Sequence, residues 1–250
     1  MIGSIRKFIK SIKADLKKWS PNLRPWFRGE SGNDPPLCPR IAKFGASQEN
    51  HLVQSFRRKA GGLANTPIRG ETDKWLFLAQ HFGIPTRLLD WTEGALLALF
   101  FAINRRESSP RVYMLSPHRL NELAGIKWDY PNFPLSWIKG GYRNIALAWE
   151  ERKTKDAYDL PIAMPATYQV DRMIAQRSCF TVHGTALEPL PSLLKSRGFD
   201  ISECLFEYSI DRDRVEQLMR ELSLLGISAA TIFPDLDHLA EDLRSEIESS

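Results

Sequence analysis

Polar side chains that could bind or transfer a charged group interrupt apolar segments at several places in the chain. The set is Arg28, Gln80, His81, Thr86, Arg87, Asp90 and Gln176. A guanidinium can hold a phosphate or a carboxylate in a fixed fork geometry, and a carboxylate can accept a proton. These residues therefore predict a polar pocket. A structural ion pair that joins Arg28 or Arg87 to Asp90 is an equally good interpretation of an arginine in apolar surroundings.

The usual catalytic motifs are missing from the sequence. None of the five histidines has the HExxH spacing, and there is no Walker loop, GxGxxG or GxSxG segment. These absences argue against zinc hydrolases, P-loop enzymes, Rossmann dehydrogenases and α/β-hydrolases. A hydrolase or nuclease with a divalent ion on Asp90, Asp235 and Asp237 stays open, because hard cations prefer carboxylates. A helix cap at Asp235 and a loop position for Asp237 is the simpler interpretation, so no metal site is predicted.

The elements that must position these residues alternate between extended and helical patterns. Strands are predicted at 25–30, which leads Arg28 into a turn at Gly29, and at 86–91, 111–115 and 204–210, while residues 176–183 are predicted as a turn into a strand. Helices are predicted at 49–59, 73–82, 93–103 and 212–225, followed by a last helix after residue 237. Thr92 is predicted to cap the third of these helices. Few of the strands follow a regular βαβ order. The pattern predicts an α+β fold: a single domain with a mixed or antiparallel β core and surrounding helices.

The basic character of the chain is concentrated at its beginning. Residues 1–20 hold six basic residues against one acidic residue, a net charge of +5, whereas the remaining 230 residues carry a net charge of −1. Apolar residues in this segment recur every three or four positions, which predicts an amphipathic helix. We expect this helix to pack on the domain formed by residues 21–250. A membrane-surface or partner-binding helix is the alternative.

Residues 116–170 carry prolines, aromatics and a charged run, and they predict a long insertion that is irregular with one or two helices. No apolar run is long enough to predict a membrane-spanning helix. Three widely spaced cysteines make a disulfide framework improbable and point to a reducing, cytoplasmic location.

The residues singled out above lie in longer segments that resemble the FRG domain family. The segments are Phe27-Arg28-Gly29, residues 79–92 (AQHFGIPTRLLDWT), 98–102, 172–181, 225–227 and 233–237. The resemblance extends over residues 20 to 245. The resemblance implies that these residues form one fold unit. It implies less about an activity.

The order of the elements is similar to that of the ADP-ribosyltransferase fold, which implies NAD as a substrate. The similarity implies that Arg28, Gly29, Gln80, His81, Thr86 and Arg87 bind NAD, and that Arg28, Asp90 and Gln176 carry the catalysis. Gly29 would let the backbone approach the nicotinamide amide closely. Gln176 is neutral and cannot act as a base, so a carboxylate must come from Asp90 or Glu30.

The combined resemblance implies an ADP-ribosyltransferase-like enzyme that cleaves NAD and modifies a macromolecule, either a protein or a nucleic acid. Such an enzyme would belong among toxins or defence effectors. The alternative is a non-enzymatic module that recognises a nucleotide, a protein or a nucleic acid with the same pocket, which would explain the neutral Gln176.

Overall fold

A computed structural model of the 250-residue chain describes residues 1–19, 24–32, 35–60, 62–63, 72–105, 107–125, 160–165, 171–184 and 186–248. The strands are β1 (Trp26–Glu30), β2 (Leu88–Thr92), β3 (Arg111–Leu115), β4 (Ile162–Pro165), β5 (Ser178–Val182) and β6 (Leu205–Ser209). The helices are α1 (Ile5–Leu16), α2 (Ala46–Ala60), α3 (Thr72–His81), α4 (Ala95–Ile103), α5 (Pro117–Leu123), α6 (Asp171–Ala175), α7 (Leu190–Ser196), α8 (Val215–Leu224), α9 (Ala229–Ile232) and α10 (Leu236–Glu248). The predicted α+β class is confirmed.

The strands form one antiparallel sheet in the order β4-β5-β2-β1-β3-β6. Strands β1 and β3 pair along their whole length, from Trp26 with Leu115 to Glu30 with Arg111. Strands β1 and β2, in contrast, pair only at Phe27 and Thr92. The centre of the sheet is therefore its weakest junction. The two strands part beyond this pair, and Arg28 and Asp90 lie where they separate.

Helix α1 packs against the sheet with its apolar side. Phe8 and Ile12 are buried in the same apolar cluster as Phe27 of β1, and Ile2 forms a parallel bridge with Ile210 beyond the end of β6. Ser4 caps the helix by accepting a hydrogen bond from the main-chain N–H of Lys7. Burial of the apolar side leaves the lysines of α1 exposed to solvent.

Helix α4 lies directly on β1, and a glycine makes this close approach possible. A Cβ at Gly29 would lie 2.5 Å from the main-chain nitrogen of Ala102 and still closer to the carbonyl oxygen of Ala98. Gly29 thus lies within β1 rather than at the predicted turn, and its lack of a side chain lets the backbone of α4 pack directly on the strand. The predicted cap at Thr92 is also wrong. Gly94 is the N-cap residue, and the Thr92 hydroxyl accepts its N–H.

Replacing Gly29 with alanine is expected to lower the free energy of unfolding by at least about 1–3 kcal/mol, because the methyl group would collide with helix backbone that cannot move as a side chain can. Urea unfolding of Gly29→Ala measures this change. Gly62→Ala is the matched control, since a Cβ there meets no atom of a described residue within 4 Å. Equal stability of the two variants would contradict the packing role.

The prediction of an irregular or helical insertion at 116–170 is correct for α5 but wrong for β4. Residues Ile162–Pro165 form an edge strand whose first three side chains are buried against β5. The aromatic residues of the predicted insertion between 126 and 159 lie outside the described residues. None of the described helices is long and apolar enough to cross a membrane.

Candidate functional site

Arg28 occupies the gap where β1 and β2 part. Its Nε donates a hydrogen bond to Oε1 of Glu30 at 2.6 Å, and its Nη1 donates to the main-chain oxygen of Asp90 at 2.7 Å. The same Nη1 lies 3.8 Å from Oδ2 of Asp90. The guanidinium thus satisfies a strand carbonyl that would otherwise need a main-chain partner. Arg28 therefore completes the hydrogen bonding of the sheet, and part of its side chain remains exposed to solvent.

A chain of hydrogen bonds fixes the side chain of Asp90. Gln80 Nε2 donates to Asp90 Oδ2 at 2.7 Å, and Gln80 Oε1 accepts the hydroxyl of Thr86 at 2.6 Å. The Thr86 hydroxyl in turn accepts the N–H of Leu88. Each bond determines the orientation of the next, so the amide of Gln80 can present only its NH₂ group to Asp90.

We call the five linked residues the Arg28–Asp90 cluster: Arg28, Glu30, Gln80, Thr86 and Asp90. The structure brings four of the predicted site residues together here. Thr86 is fully buried, which makes it a positioning residue for Gln80 rather than a ligand contact. The Asp90 side chain, 55% exposed, is open to solvent.

Glu30, the other candidate carboxylate, accepts hydrogen bonds that stabilise the local structure. Besides Arg28, it holds the main-chain N–H of Leu37 at 3.1 Å. Leu37 is buried with a φ of 53°, so this contact anchors a constrained point of the loop after β1. Burial lowers the pKa of Arg28, but the charges of Glu30 and Asp90 outweigh this effect and raise it overall, so Arg28 stays a cation.

Arg87 is not part of this cluster, which corrects the expectation that it binds a cofactor or pairs with Asp90. Its side chain is only 3% exposed, and its Nε donates to Oε2 of the fully buried Glu49 at 2.6 Å. Glu49 also accepts the main-chain N–H of Arg87 at 2.7 Å, and Nη1 donates to the carbonyl of Gly184. The residue forms a buried structural ion pair between α2 and β2.

Among the described residues, neither His81 nor Gln176 makes a hydrogen bond to the cluster. Burial lowers the pKa of His81, the charge of Arg172 lowers it further, and the charge of Asp90 opposes both. The imidazole is therefore neutral at neutral pH. Gln176 donates its Nε2 to the main-chain oxygen of Ile232 at 3.4 Å. The structure thus places its amide against the end of α9.

A second group of side chains was missed by the sequence analysis. The guanidinium carbon of Arg172 lies 4.3 Å from the ring centroid of Phe233, and the Phe233 ring stacks on His238 with centroids 4.3 Å apart. His238 Nδ1 lies 2.7 Å from Oδ1 of Asp235. We call Arg172, Phe233, His238 and Asp235 the Arg172 stack. Arg172, Phe233 and Asp235 fall in segments that carry the family resemblance and His238 follows the last of them, but nothing in their spacing predicted the contact.

The proposed carboxylate site for a divalent ion is not assembled in the part of the chain that the structure describes. No group of three or more His, Cys, Asp or Glu side chains there could hold a metal ion. Asp235 instead accepts the main-chain N–H of His238 at 2.9 Å, as a cap at the start of α10. Asp237 lies in the first turn of that helix.

Comparison with known proteins gives one match. The chain has no significant match among curated proteins or solved structures. Residues 24–111 match the FRG domain family. This range includes the whole Arg28–Asp90 cluster and His81, whereas Gln176 and the Arg172 stack follow it. The chain therefore carries an FRG domain, matched over residues 24–111.

Proposed function

We propose that the protein is an ADP-ribosyltransferase-like enzyme that binds NAD at the Arg28–Asp90 cluster, cleaves it and transfers ADP-ribose to a macromolecule. One observation carries the proposal. An exposed carboxylate, Asp90, is held between an amide and a guanidinium at the point where two central strands part. A carboxylate held so rigidly is suited to stabilise the positive charge that develops in a transition state.

Arg28 is suited to hold the substrate. Two of its nitrogens are engaged by Glu30 and by the carbonyl of Asp90. Its Nη2 donates to no residue that the structure describes, and it remains available for a phosphate oxygen or a ribose hydroxyl. An arginine whose other donors are already fixed loses little side-chain entropy when it binds a ligand.

The proposed reaction breaks the bond between C1′ of the ribose and the ring nitrogen of nicotinamide. The bonding electron pair leaves with nicotinamide, which becomes neutral, and the ribose passes through an oxocarbenium-like state. The carboxylate of Asp90 stabilises that positive charge. A hydroxyl or another nucleophile of the acceptor then forms the new bond at C1′, and its proton passes to Asp90. Gln176, which is neutral, takes no proton.

The order of the elements supports this reading. The strand with Arg28, the strand with Asp90 and its following apolar helix, and a third strand just after Gln176 stand in the order found in ADP-ribosyltransferases. That resemblance also suggests a toxin or defence effector.

A recognition module that uses the same pocket is the second candidate. It is favoured by Gln176, whose neutral amide bonds to Ile232 where an ADP-ribosyltransferase would more often place a glutamate. If the protein is a recognition module, it should bind a nucleotide saturably without converting it to a product.

Incubation with NAD, followed by chromatography of released nicotinamide, tests the proposal. Asp90→Asn is expected to lower kcat by about 100-fold or more, because the amide keeps the shape but loses the charge. Arg28→Ala is expected to raise KM and lower kcat together, since the same guanidinium would hold the substrate and order Asp90.

Glu93→Gln is the matched control, because Glu93 is an exposed carboxylate three residues from Asp90. It should release nicotinamide at the parental rate. The assay includes a lysate as a source of acceptor. Parental activity in a folded Asp90→Asn protein would overturn the mechanism, and NAD binding without release under all conditions would favour the recognition module.

A further inference from the structure

Arg172 is a partly buried cation, and one of its buried donors has no partner. Its Nε is inaccessible to solvent and has no hydrogen-bond partner among the residues that the structure describes. No carboxylate of a described residue lies within ion-pair distance of its guanidinium, although Asp235 and Asp90 are near enough for their charges to act on it. A buried charged donor left unpaired is strongly unfavourable, so such a group needs an explanation.

The Arg172 stack holds the guanidinium of Arg172 over the ring of Phe233. Phe233 lies between Arg172 and His238, and Phe101 of α4 meets its ring edge-on with centroids 6.0 Å apart. Asp235 fixes His238 from the other side. A guanidinium held over an aromatic ring loses part of its freedom to move, and its outer N–H donors can still bind another group.

Gln176 supports the same arrangement. Its amide holds the main-chain oxygen of Ile232, the residue before Phe233. Gln176 therefore acts as a positioning residue for the stack.

The Arg172 stack and the Arg28–Asp90 cluster are neighbours. Helix α6, which carries Arg172, leads directly into β5, where Phe180 pairs with Asp90. The carboxylate of Asp90 lies within electrostatic range of both guanidinium groups, Arg28 on one element and Arg172 on another. His81 also feels the charges of Asp90 and Arg172.

We propose that Arg172 binds a phosphate group of the ligand that occupies the Arg28–Asp90 cluster, so that the two arginines together hold a diphosphate-bridged nucleotide. The identity of the ligand rests on the proposed function. The chemistry of the donors supports phosphate, because a guanidinium only donates and a phosphate oxygen only accepts. The flat fork of a stacked arginine also matches two oxygens of one phosphate.

Calorimetry with three probes tests this assignment: NAD, ADP and nicotinamide riboside, which lacks phosphate. Arg172→Met keeps a long side chain over Phe233 and removes the charge and the donors. It is expected to raise the Kd for NAD and for ADP by about 10- to 100-fold, the range for a lost charge-assisted contact. The Kd for nicotinamide riboside should not change. If Arg172 only stabilised the fold, Arg172→Met would raise the Kd for all three probes by similar factors.

Arg177→Asn is the control, because Arg177 is an exposed arginine just after α6 whose φ of 48° asparagine tolerates. It should bind all three probes as the parent does. Arg172→Lys replaces Arg172→Met if the latter fails to melt cooperatively, and it should bind NAD and ADP weakly, because an ammonium cannot form the fork.

The outcomes separate this inference from the proposed function. Arg172-dependent ADP binding without nicotinamide release would uphold the phosphate site and refute the transferase. Nicotinamide release that depends on Asp90, with an unchanged KM for NAD in Arg172→Met, would uphold the transferase and refute the phosphate site. Failure of the parent protein to bind ADP, or equal loss of all three probes, would overturn the assignment.

Discussion

Replacing Glu49 with alanine is expected to lower the free energy of unfolding by about 3–5 kcal/mol, the range for breaking one side of a buried ion pair. Glu49 is fully buried, and it accepts both the Nε–H and the main-chain N–H of Arg87. Its removal would leave the guanidinium charge in the core without its carboxylate. The expected loss is a large part of the stability of a typical domain.

Urea unfolding at neutral pH measures this effect. A double variant, Glu49→Leu with Arg87→Leu, should recover much of the loss, because two apolar side chains leave no unpaired charge behind. The control is Glu122→Ala. Its exposed ion pair with Arg119 should contribute no more than about 1 kcal/mol. A Glu49→Ala protein no less stable than this control would refute the structural role of the pair.

Acidification is expected to destabilise the protein through His183. This residue is fully buried, and burial lowers its pKa to about 3, helped by the neighbouring charge of Arg87. The unfolded chain binds a proton near pH 6.5, whereas the folded chain does not. The stability contribution of the neutral ring is therefore complete above pH 6.5, and it falls by roughly 1.4 kcal/mol per pH unit as the pH drops from 6.5 toward 3.

Urea unfolding at several pH values between 7 and 4.5 measures the slope. His183→Leu removes the titrating group, so its stability should depend less steeply on pH over this interval. His51→Gln is the control, because His51 is exposed on α2, and it should keep the parental slope. An unchanged slope in His183→Leu would show that another group causes the acid sensitivity.

The strands could largely be predicted from the sequence, because they depend on local pattern, and the residues at the centre of the site could be singled out as polar positions within apolar segments. The predicted strand at 111–115 coincides with β3, and those around Arg28 and Asp90 agree within two residues. Arg28, Gln80 and Asp90 were expected to act together, and the structure links them by hydrogen bonds or short contacts. Apolar alternation and turn residues carry this information.

The remaining features depend on contacts between distant segments, which no local pattern encodes. Glu49 lies 38 residues before Arg87, and nothing in either segment indicates the pairing. Gly29 lies against the backbone of α4, and no pattern around the glycine indicated this close approach. Strand β4 was missed because its four residues stand within a region of mixed pattern, and a short buried strand has no periodicity of its own.

The single pairing between β1 and β2 divides the sheet into two halves. One half, β4-β5-β2, carries Asp90, and the other half, β1-β3-β6, carries Arg28, while Phe27 and Thr92 act as the pivot. A small rotation of one half against the other leaves every other strand ladder intact but changes the distance between the two charged groups at once. A ligand that bound both Arg28 and Asp90 would bridge the two halves and oppose such a rotation.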